Sequence, residues 1–552
     1  MAPVLSSWGV AWPAVGVLSA AIVYIVLRVN SVRRFYRRHD LPQPPHHPIW
    51  GHLKLIGEYV KKVSGDYIQA PLTEMKQDLN LPDIFYLDMW PAGPEFIVCS
   101  SPDAAAIPTT VSAFAQSSLV TGVFAPTVGT TFIEATNGPL WKELHHMLAP
   151  GLTPGAVKTY HQLIVDEAEA LHRRFRRLAG SGDVVNVSLE LGRYPFSVIW
   201  QVIFGEKPDA GSGFYEAAKR LNDIGGPTRR VVNPIQIWQE RREKAAIVRK
   251  FDREIENKTR ARFEELKRQK VLPTRTTASC LLDRMLLDQV QAGLPLDDRL
   301  MRLVRENVKG FIIAGYGTTT DTTSYMLMLL SAFPDTLRKL REEHDRVFSK
   351  DLDETFRLLR DEPNRVNELH YTTAVINETL RLYPPGMVIR QPPAEMTSFE
   401  YKGKTYPVRK GHIFAVMGYS IHYNPEVFEE PKAFRPERFL APTTTTTTTV
   451  STTSSSSDGS DSVPRSAFRP FERGLRSCMG QNLAMGELRV ALVALARGMD
   501  FALREHAPAA APRLRHTDLD TVLGKHAFQT LRFSAGPSGD VLMEVRPAAG
   551  RE

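Results

Sequence analysis

The sequence predicts a mainly helical protein with a small β-sheet region, preceded by one N-terminal transmembrane helix. Three observations lead there. Residues 8–27 carry no charge, and about twenty such residues suffice to cross a hydrocarbon core as a helix. Apolar residues recur at three- and four-residue spacing through 165–179 and 244–269, as in helices with one buried face. Strand-like pieces are short: residues 95–100, and residues 400–408, whose Gly-centred turn reads as a hairpin.

The transmembrane helix is followed at once by Arg28, Arg33, Arg34, Arg37 and Arg38. By the positive-inside rule these arginines stay cytosolic and the first residues face the lumen. A cleaved secretory peptide carries its positive charge before the apolar run, and here the charge comes after it. Residues 1–40 are therefore expected to be a membrane anchor with a basic stop-transfer segment. Residues 41–552 are expected to form one cytosolic body. Pro42, Pro44, Pro45 and Pro48 cannot continue a helix, so they are expected to make a stiff turn that sets the body's angle on the membrane.

The body is long enough to bury a large core: the chain has 552 residues, 43% of them hydrophobic. A net charge of +8 is mild at this length. It argues against a dedicated nucleic-acid binder and fits an anionic membrane surface or an acidic partner. The three cysteines, Cys99, Cys280 and Cys478, are far apart and form no C-x-x-C pair, which excludes a disulfide framework and points to a reducing compartment. Residues 441–463 are nearly all Thr, Ser, Asp and Gly. With almost no apolar surface to bury, they are expected to be a disordered surface insertion.

The chemistry concentrates at residues 471–480, FERGLRSCMG. A thiolate that binds a metal needs shielding and hydrogen bonds to its sulfur. Gly474 and Gly480 permit close backbone approach, Arg476 can neutralise a carboxylate on a bound cofactor, and Phe471 can shield one face. A lone cysteine without a second Cys or His at ligand spacing does not suit structural zinc, which wants four ligands. It suits haem, where the porphyrin supplies four nitrogens and the protein one axial ligand.

With these residues in place, the segment resembles the haem-binding loop of the cytochrome P450 family. The resemblance implies that Cys478 is the axial ligand of the iron in haem b (iron protoporphyrin IX). Further motifs resemble the family in its order. ETLR, residues 378–381, is similar to its E-x-x-R helix, and FRPERF, residues 434–439, to the segment that completes it. Glu378, Arg381 and Arg438 would then be a buried structural triad, and Arg390 in PPGMVIR a contact to a haem propionate. AGYGTTT, residues 314–320, resembles the oxygen-binding helix: Ala314 and Gly315 leave room for dioxygen, and Thr318, flanked by Thr319, is the oxygen-activating threonine. Its hydroxyl is expected to bond the carbonyl four residues back and bend the helix.

Two positions depart from the family. Gly317 occupies the place of an acid thought to help relay protons, and Asp321, one turn on, is a candidate substitute. Trp141 matches the family's W-x-x-x-R helix, but His145 stands in place of the arginine, with weaker and pH-dependent charge.

The resemblance covers roughly residue 42 to the C-terminus. It implies a monooxygenase that inserts one oxygen atom of O2 into an apolar small-molecule substrate. Electrons would come from NADPH through a cytochrome P450 reductase, with cytochrome b5 as a second donor, docking near Arg469, Arg473 and Lys142. The anchor resembles that of endoplasmic-reticulum members: single-pass, with the catalytic body cytosolic. The threonine-rich insert and motif spelling look like a filamentous-fungal member from secondary metabolism. Specificity would lie in residues 118–129, 221–236 and 387–389. Two alternatives remain open at this point. One is a haem-thiolate isomerase or dehydratase acting without a reductase; the other is a non-catalytic, membrane-tethered haem protein.

Overall fold

The computed structural model describes residues 8–209, 211–226, 233–440 and 463–548. The expected insertion at 441–463 lies outside the described residues except for Val463, as do residues 227–232 of the expected specificity segment.

The anchor helix, Trp8–His39, runs past the basic residues without a break. Val17, Leu18, Ile22 and Leu27 are exposed on it, an apolar face that water does not satisfy. Its last turns leave that environment and dock on the body. Val32 and Tyr36 are buried, and the Arg28 guanidinium lies 3.0 Å from Asp88 and 4.3 Å over the Trp90 ring. His46, from the proline segment, meets the same carboxylate at 3.0 Å. The end of this helix is thus fixed on the body by packing, and the proline segment joins the same contact through His46.

Beneath the anchor lies a five-stranded sheet in the order Ile84–Asp88, Glu95–Cys99, Ile413–Val416, Val388–Gln391, Ala115–Gln116. Glu95–Cys99 pairs parallel to Ile413–Val416, and the other neighbours are antiparallel. The last two strands matter for the site, because one carries Arg390 and the other Gln116. The hairpin expected at 400–408 is Ser398–Tyr401 with Lys404–Pro407. Lys402 and Gly403 turn it with φ of 47° and 72°, the left-handed pair that matches strand twist.

Helices make most of the rest. The expected segments fall within His161–Ala179 and Pro234–Arg268. The central helix, Asp298–Ala332, starts ten residues before the expected 308 because Asp297 caps it, accepting from the Leu300 amide at 2.7 Å. Residues 319–330 are buried on every side of the helix. Its hydroxyls therefore bond inward: Thr320, Thr322, Thr323 and Ser324 each donate to the carbonyl four residues back.

One ion cluster ties the helical core to the loops behind the site. Arg381 donates to Glu378 at 2.7 and 2.8 Å, and Arg438 approaches the same carboxylate at 3.1 Å. The carboxylate also accepts from the Arg435 amide. The spare guanidinium hydrogens go to the carbonyls of His422, Pro431, Ala433, Glu429 and Glu430. All three side chains are buried. Glu378→Ala strands two guanidiniums without a counter-ion; we expect a loss of about 3–5 kcal/mol in denaturant unfolding.

Candidate haem site

Cys478 sits where the segment 471–480 turns into the helix Gln481–Ala496. Its amide donates to the Phe471 carbonyl at 2.8 Å, and the Ser477 amide to the Gly474 carbonyl at 3.0 Å, so the loop closes on itself. Gly474 has φ of 84°, and a Cβ there would lie 2.3 Å from the Thr109 carbonyl oxygen. Only glycine allows the loop to seat against that carbonyl. Gly480 is different: its φ is −80°, and a Cβ there would make only an ordinary 3.8 Å contact with the Cys478 sulfur. Of the three cysteines, Cys99 and Cys280 are buried and Cys478 is exposed. Burial nevertheless pushes its thiol up to about 11, against the pull of the Gly480 and Gln481 amides.

The central helix carries the expected oxygen-binding residues. Ala314 is exposed in the middle of this core helix, and Thr318, one turn on, is partly exposed. Thr318 donates to the Ala314 carbonyl at 2.8 Å as expected, but so do its neighbours to theirs, and the helix stays α-helical throughout. The expected bend is not formed. Exposure, not back-bonding, distinguishes Thr318. Two other expected members of this set point elsewhere. Thr319 is buried and faces the Glu487 carboxyl, so it ties the central helix to the Gln481–Ala496 helix. Gly315 faces Ile199, where a Cβ would clash at 2.8 Å, so it serves helix packing.

Asp321 is also turned away. It accepts from the Ser534 hydroxyl at 2.5 Å and lies 3.8 Å from Arg532. Burial raises its pKa, opposed by Arg532 and Ser534. Ser534 in turn reaches the departure at 317, since its Oγ is 3.3 Å from where a Cβ on Gly317 would be.

Cations gather beside the sulfur. Arg476 stacks 4.9 Å over the Trp141 ring and donates through Nη2 to Thr136 O and Asn137 Oδ1, each at 2.7 Å. Its Nη1 is buried and has no hydrogen-bond partner. Arg390, also buried, donates to Gln116 Oε1 at 2.8 Å. His145 lies against Trp141 with ring centroids 4.9 Å apart, and burial lowers its pKa, so near neutral pH it offers a dipole more than a charge. These residues fit a flat, acidic cofactor with one open axial position. A single sulfur is presented, the buried Arg390 and half-buried Arg476 guanidiniums lie alongside, and Arg476 Nη1 still lacks an acceptor. Among the described residues no group of three His, Cys, Asp or Glu offers a rival metal site.

Several residues of the site are absent from the sequence reading, whereas Phe124 lies within the expected specificity segment 118–129. Glu134, whose carboxyl accepts from Gln116, is raised by burial and lowered by Arg390 and Arg476. The segment bearing it is pinned to the central helix: Glu306 accepts from the Thr131 amide at 2.6 Å, and Asn307 bonds Ile133 and Thr131. Phe124 stacks on Phe533 at 5.7 Å, Phe124 meets Phe132 at 5.4 Å, and Phe132 meets Phe311 at 6.4 Å. Phe311 lies one turn before Ala314 on the same helix face. No local pattern joins residues 124, 132, 311 and 533. The docking residues also need correction: Arg469 is buried and bonded to Glu472 and Thr109, while Arg473 donates to the Arg465 carbonyl. Lys142 is exposed on the Gly138–Leu148 helix.

His422 joins this site to the ion cluster. Its Nε2 accepts from the Arg469 amide at 3.0 Å, so Nδ1 carries the proton and donates to the Arg381 carbonyl at 2.9 Å. Burial, aided by Arg381, holds its pKa at about 3. The unfolded chain, with histidine near 6.5, binds the extra proton first. This stabilisation is therefore present above pH 6.5 and lost as pH falls toward 3. Buried His52 and His526, each at about 4, act the same way. We expect His422→Gln to lower the unfolding midpoint at pH 7 and to flatten its decline between pH 6.5 and 4.

The cytochrome P450 family model matches residues 41–511. The chain is 30% identical over 491 residues to cytochrome P450 monooxygenase acrF of Aspergillus aculeatus, covering 86% of this chain and 97% of that protein. It is 28% identical over 511 residues to cytochrome P450 monooxygenase ptmJ of Penicillium ochrochloron, covering 90% and 91%. Human cytochrome P450 3A7 is 26% identical over 369 residues, covering 65% and 68%. With its mostly helical fold, small sheets and cysteine loop, this chain belongs to the cytochrome P450 family: it is a monooxygenase that uses haem and takes electrons from a redox partner.

Proposed function

We propose that the chain is a membrane-tethered haem-thiolate monooxygenase, with Cys478 as axial ligand, acting on an apolar small molecule in fungal secondary metabolism. The observation that carries this reading is the loop of Cys478, an exposed cysteine closed on itself by backbone bonds, with the unpartnered Arg476 Nη1 beside it; exposed Ala314 and half-buried Thr318 on the central helix support it. Haem, when bound, supplies the oxygen activation that no side chain here provides.

The chain's own residues have four tasks. Cys478 Sγ binds the iron, and the Gly480 and Gln481 amides oppose loss of charge on the sulfur. Arg476 Nη1 and Arg390, with Trp141 and His145 alongside, hold and orient the cofactor's carboxylates. Phe124, Phe132, Phe311 and Phe533 exclude water and favour an apolar substrate. Thr318 gives its own proton to the Ala314 carbonyl and keeps lone pairs free to hold a water as proton source. Gly317 contributes no acid. The Ser534 hydroxyl, which donates to the buried Asp321 carboxyl, stands beside the place of that missing acid.

The electrons are assigned to NADPH through a membrane-bound reductase, with cytochrome b5 as a second donor. The apolar anchor supports an endoplasmic-reticulum location with the body cytosolic. The fungal origin of the relatives acrF and ptmJ supports the pathway class. A reductase-independent isomerase would consume neither NADPH nor O2, and the Ser534 and Asp321 pair at Gly317 speaks against it.

Two substitutions test the assignment. Cys478→Ser should abolish both turnover and the carbon monoxide absorption of a thiolate-ligated ferrous haem; retention of either overturns it. Thr318→Ala should keep that absorption while product formation falls by up to roughly 10²-fold and NADPH electrons appear as hydrogen peroxide. Unchanged product per NADPH would remove Thr318 from its role.

A further inference from the structure

Four buried tyrosines lie outside this site. Tyr325 is seven residues beyond Thr318 on the central helix, two turns along the same face and about 10 Å away. Its ring stacks on Tyr383 with centroids 3.7 Å apart and 7° between planes. The residue before Tyr383, Leu382, accepts through its carbonyl from the Tyr423 hydroxyl at 3.4 Å. Tyr423 meets Tyr419 at 4.6 Å, and both rings pack edge-on against His516 at 5.2 and 5.5 Å. The hydroxyls of Tyr325 and Tyr383 have no hydrogen-bond partner. Phenylalanine would pack as well there and avoid the cost of a buried, unsatisfied hydroxyl. Packing alone does not explain the phenols of Tyr325 and Tyr383.

The far end of the array is a base. His516 Nδ1 is 3.0 Å from Glu74 Oε2, which also accepts from the Arg515 amide at 2.8 Å. These bonds hold the carboxyl below its usual range despite burial, so it is an acceptor and His516 Nδ1 carries the proton. His516 Nε2 is then a bare lone pair, 3.3 Å from the Tyr419 hydroxyl. Burial lowers the His516 pKa, which keeps that lone pair free. Glu74 and His516 are 2% exposed, and the ammonium of half-exposed Lys62 lies 4.0 Å from the carboxylate. A phenol gives up an electron readily only if its proton can leave with it, and here a neutral imidazole is already in place.

We propose that Tyr325, Tyr383, Tyr423 and Tyr419 form a redox-active array ending at a Tyr419, His516 and Glu74 proton-acceptor site. The inference rests on haem being bound at Cys478. Its oxidant is a hydroperoxide cleaved there without substrate: the O–O bond breaks and takes up two electrons and two solvent protons to leave an alcohol or water and a second water. One of those electrons passes through the stacked rings from Tyr419, and the other comes from the loaded cofactor, which the redox partner later re-reduces. The Tyr419 O–H bond breaks and a proton bonds His516 Nε2, leaving a neutral tyrosyl radical beside an imidazolium paired with Glu74. An electron from the redox partner and the returning proton restore the phenol. The array draws oxidising equivalents away from the pocket when no substrate takes them.

The haem-loaded full chain is mixed with hydrogen peroxide without substrate, frozen within milliseconds, and read by electron paramagnetic resonance. A tyrosyl signal is expected in the wild type, lost in Tyr419→Phe and strongly reduced in His516→Gln, with haem bleaching several-fold faster in both. Carbon monoxide absorption in each sample checks folding and ligation; Tyr383→Phe, which keeps the stacked ring, is a further arm and should also lower the signal. If ligation is intact and the signal and bleaching rate are unchanged in Tyr419→Phe and Tyr383→Phe, the array is refuted. If thiolate-ligated haem is missing from the wild type, the Cys478 assignment falls and this inference with it.

Discussion

The buried ion cluster of Glu378, Arg381 and Arg438 is the interaction on which the site's architecture depends. One carboxylate holds two guanidiniums, and the guanidiniums in turn gather carbonyls from Glu429 to Ala433 and from His422. Desolvating three charges is costly, so the cluster is weak evidence for stability in itself. What it supplies is a single arrangement of several loops, because each guanidinium hydrogen has one place to go. His422 carries that order forward: bonded to Arg381 on one side and the Arg469 amide on the other, it fixes the start of the segment that presents Cys478.

The pocket depends on a second contrast, between a helix buried on all sides and one place where it is not. Hydroxyls along the central helix make the same bond to the carbonyl four residues back. That bond therefore does not set Thr318 apart. Accessibility sets this stretch apart: Ala314 is exposed and Thr318, like Phe311 and Gly315, is half-buried, while residues 319–330 are buried. The same helix, through Glu306 and Asn307, pins the segment that brings Phe132 and Glu134 to the pocket. One element thus carries Thr318 and holds the Thr131–Ile133 segment in place.

The anchor is part of the body rather than a tether attached to it. Arg28 leaves the apolar face to pair with Asp88 and stack on Trp90, and Tyr36 packs beneath the sheet. Burial of Val32 and Tyr36 adds non-directional contact, while the Arg28 pair is directional and fixes rotation about the helix axis. The sheet that receives the helix also holds Arg390, so the N-terminal helix and this buried guanidinium share a frame.

The sequence by itself determined the helical class, the anchor, the hairpin at Lys402 and Gly403, and the identity of Cys478, Glu378, Arg381 and Arg438 as partners in fixed motifs. These are local patterns: an uncharged run, a period of three to four, a glycine at a left-handed turn, short spacings. Only the tertiary structure decided which of two adjacent threonines faces the cavity, since a rotation of about 100° per residue sends Thr319 to Glu487 instead. It also decided that Gly315 serves Ile199, that Arg469 is buried, and that Ser534, more than two hundred residues away, stands beside Gly317. Burial and direction are properties of packed elements. No spacing within a single segment encodes what another segment will bring to its surface.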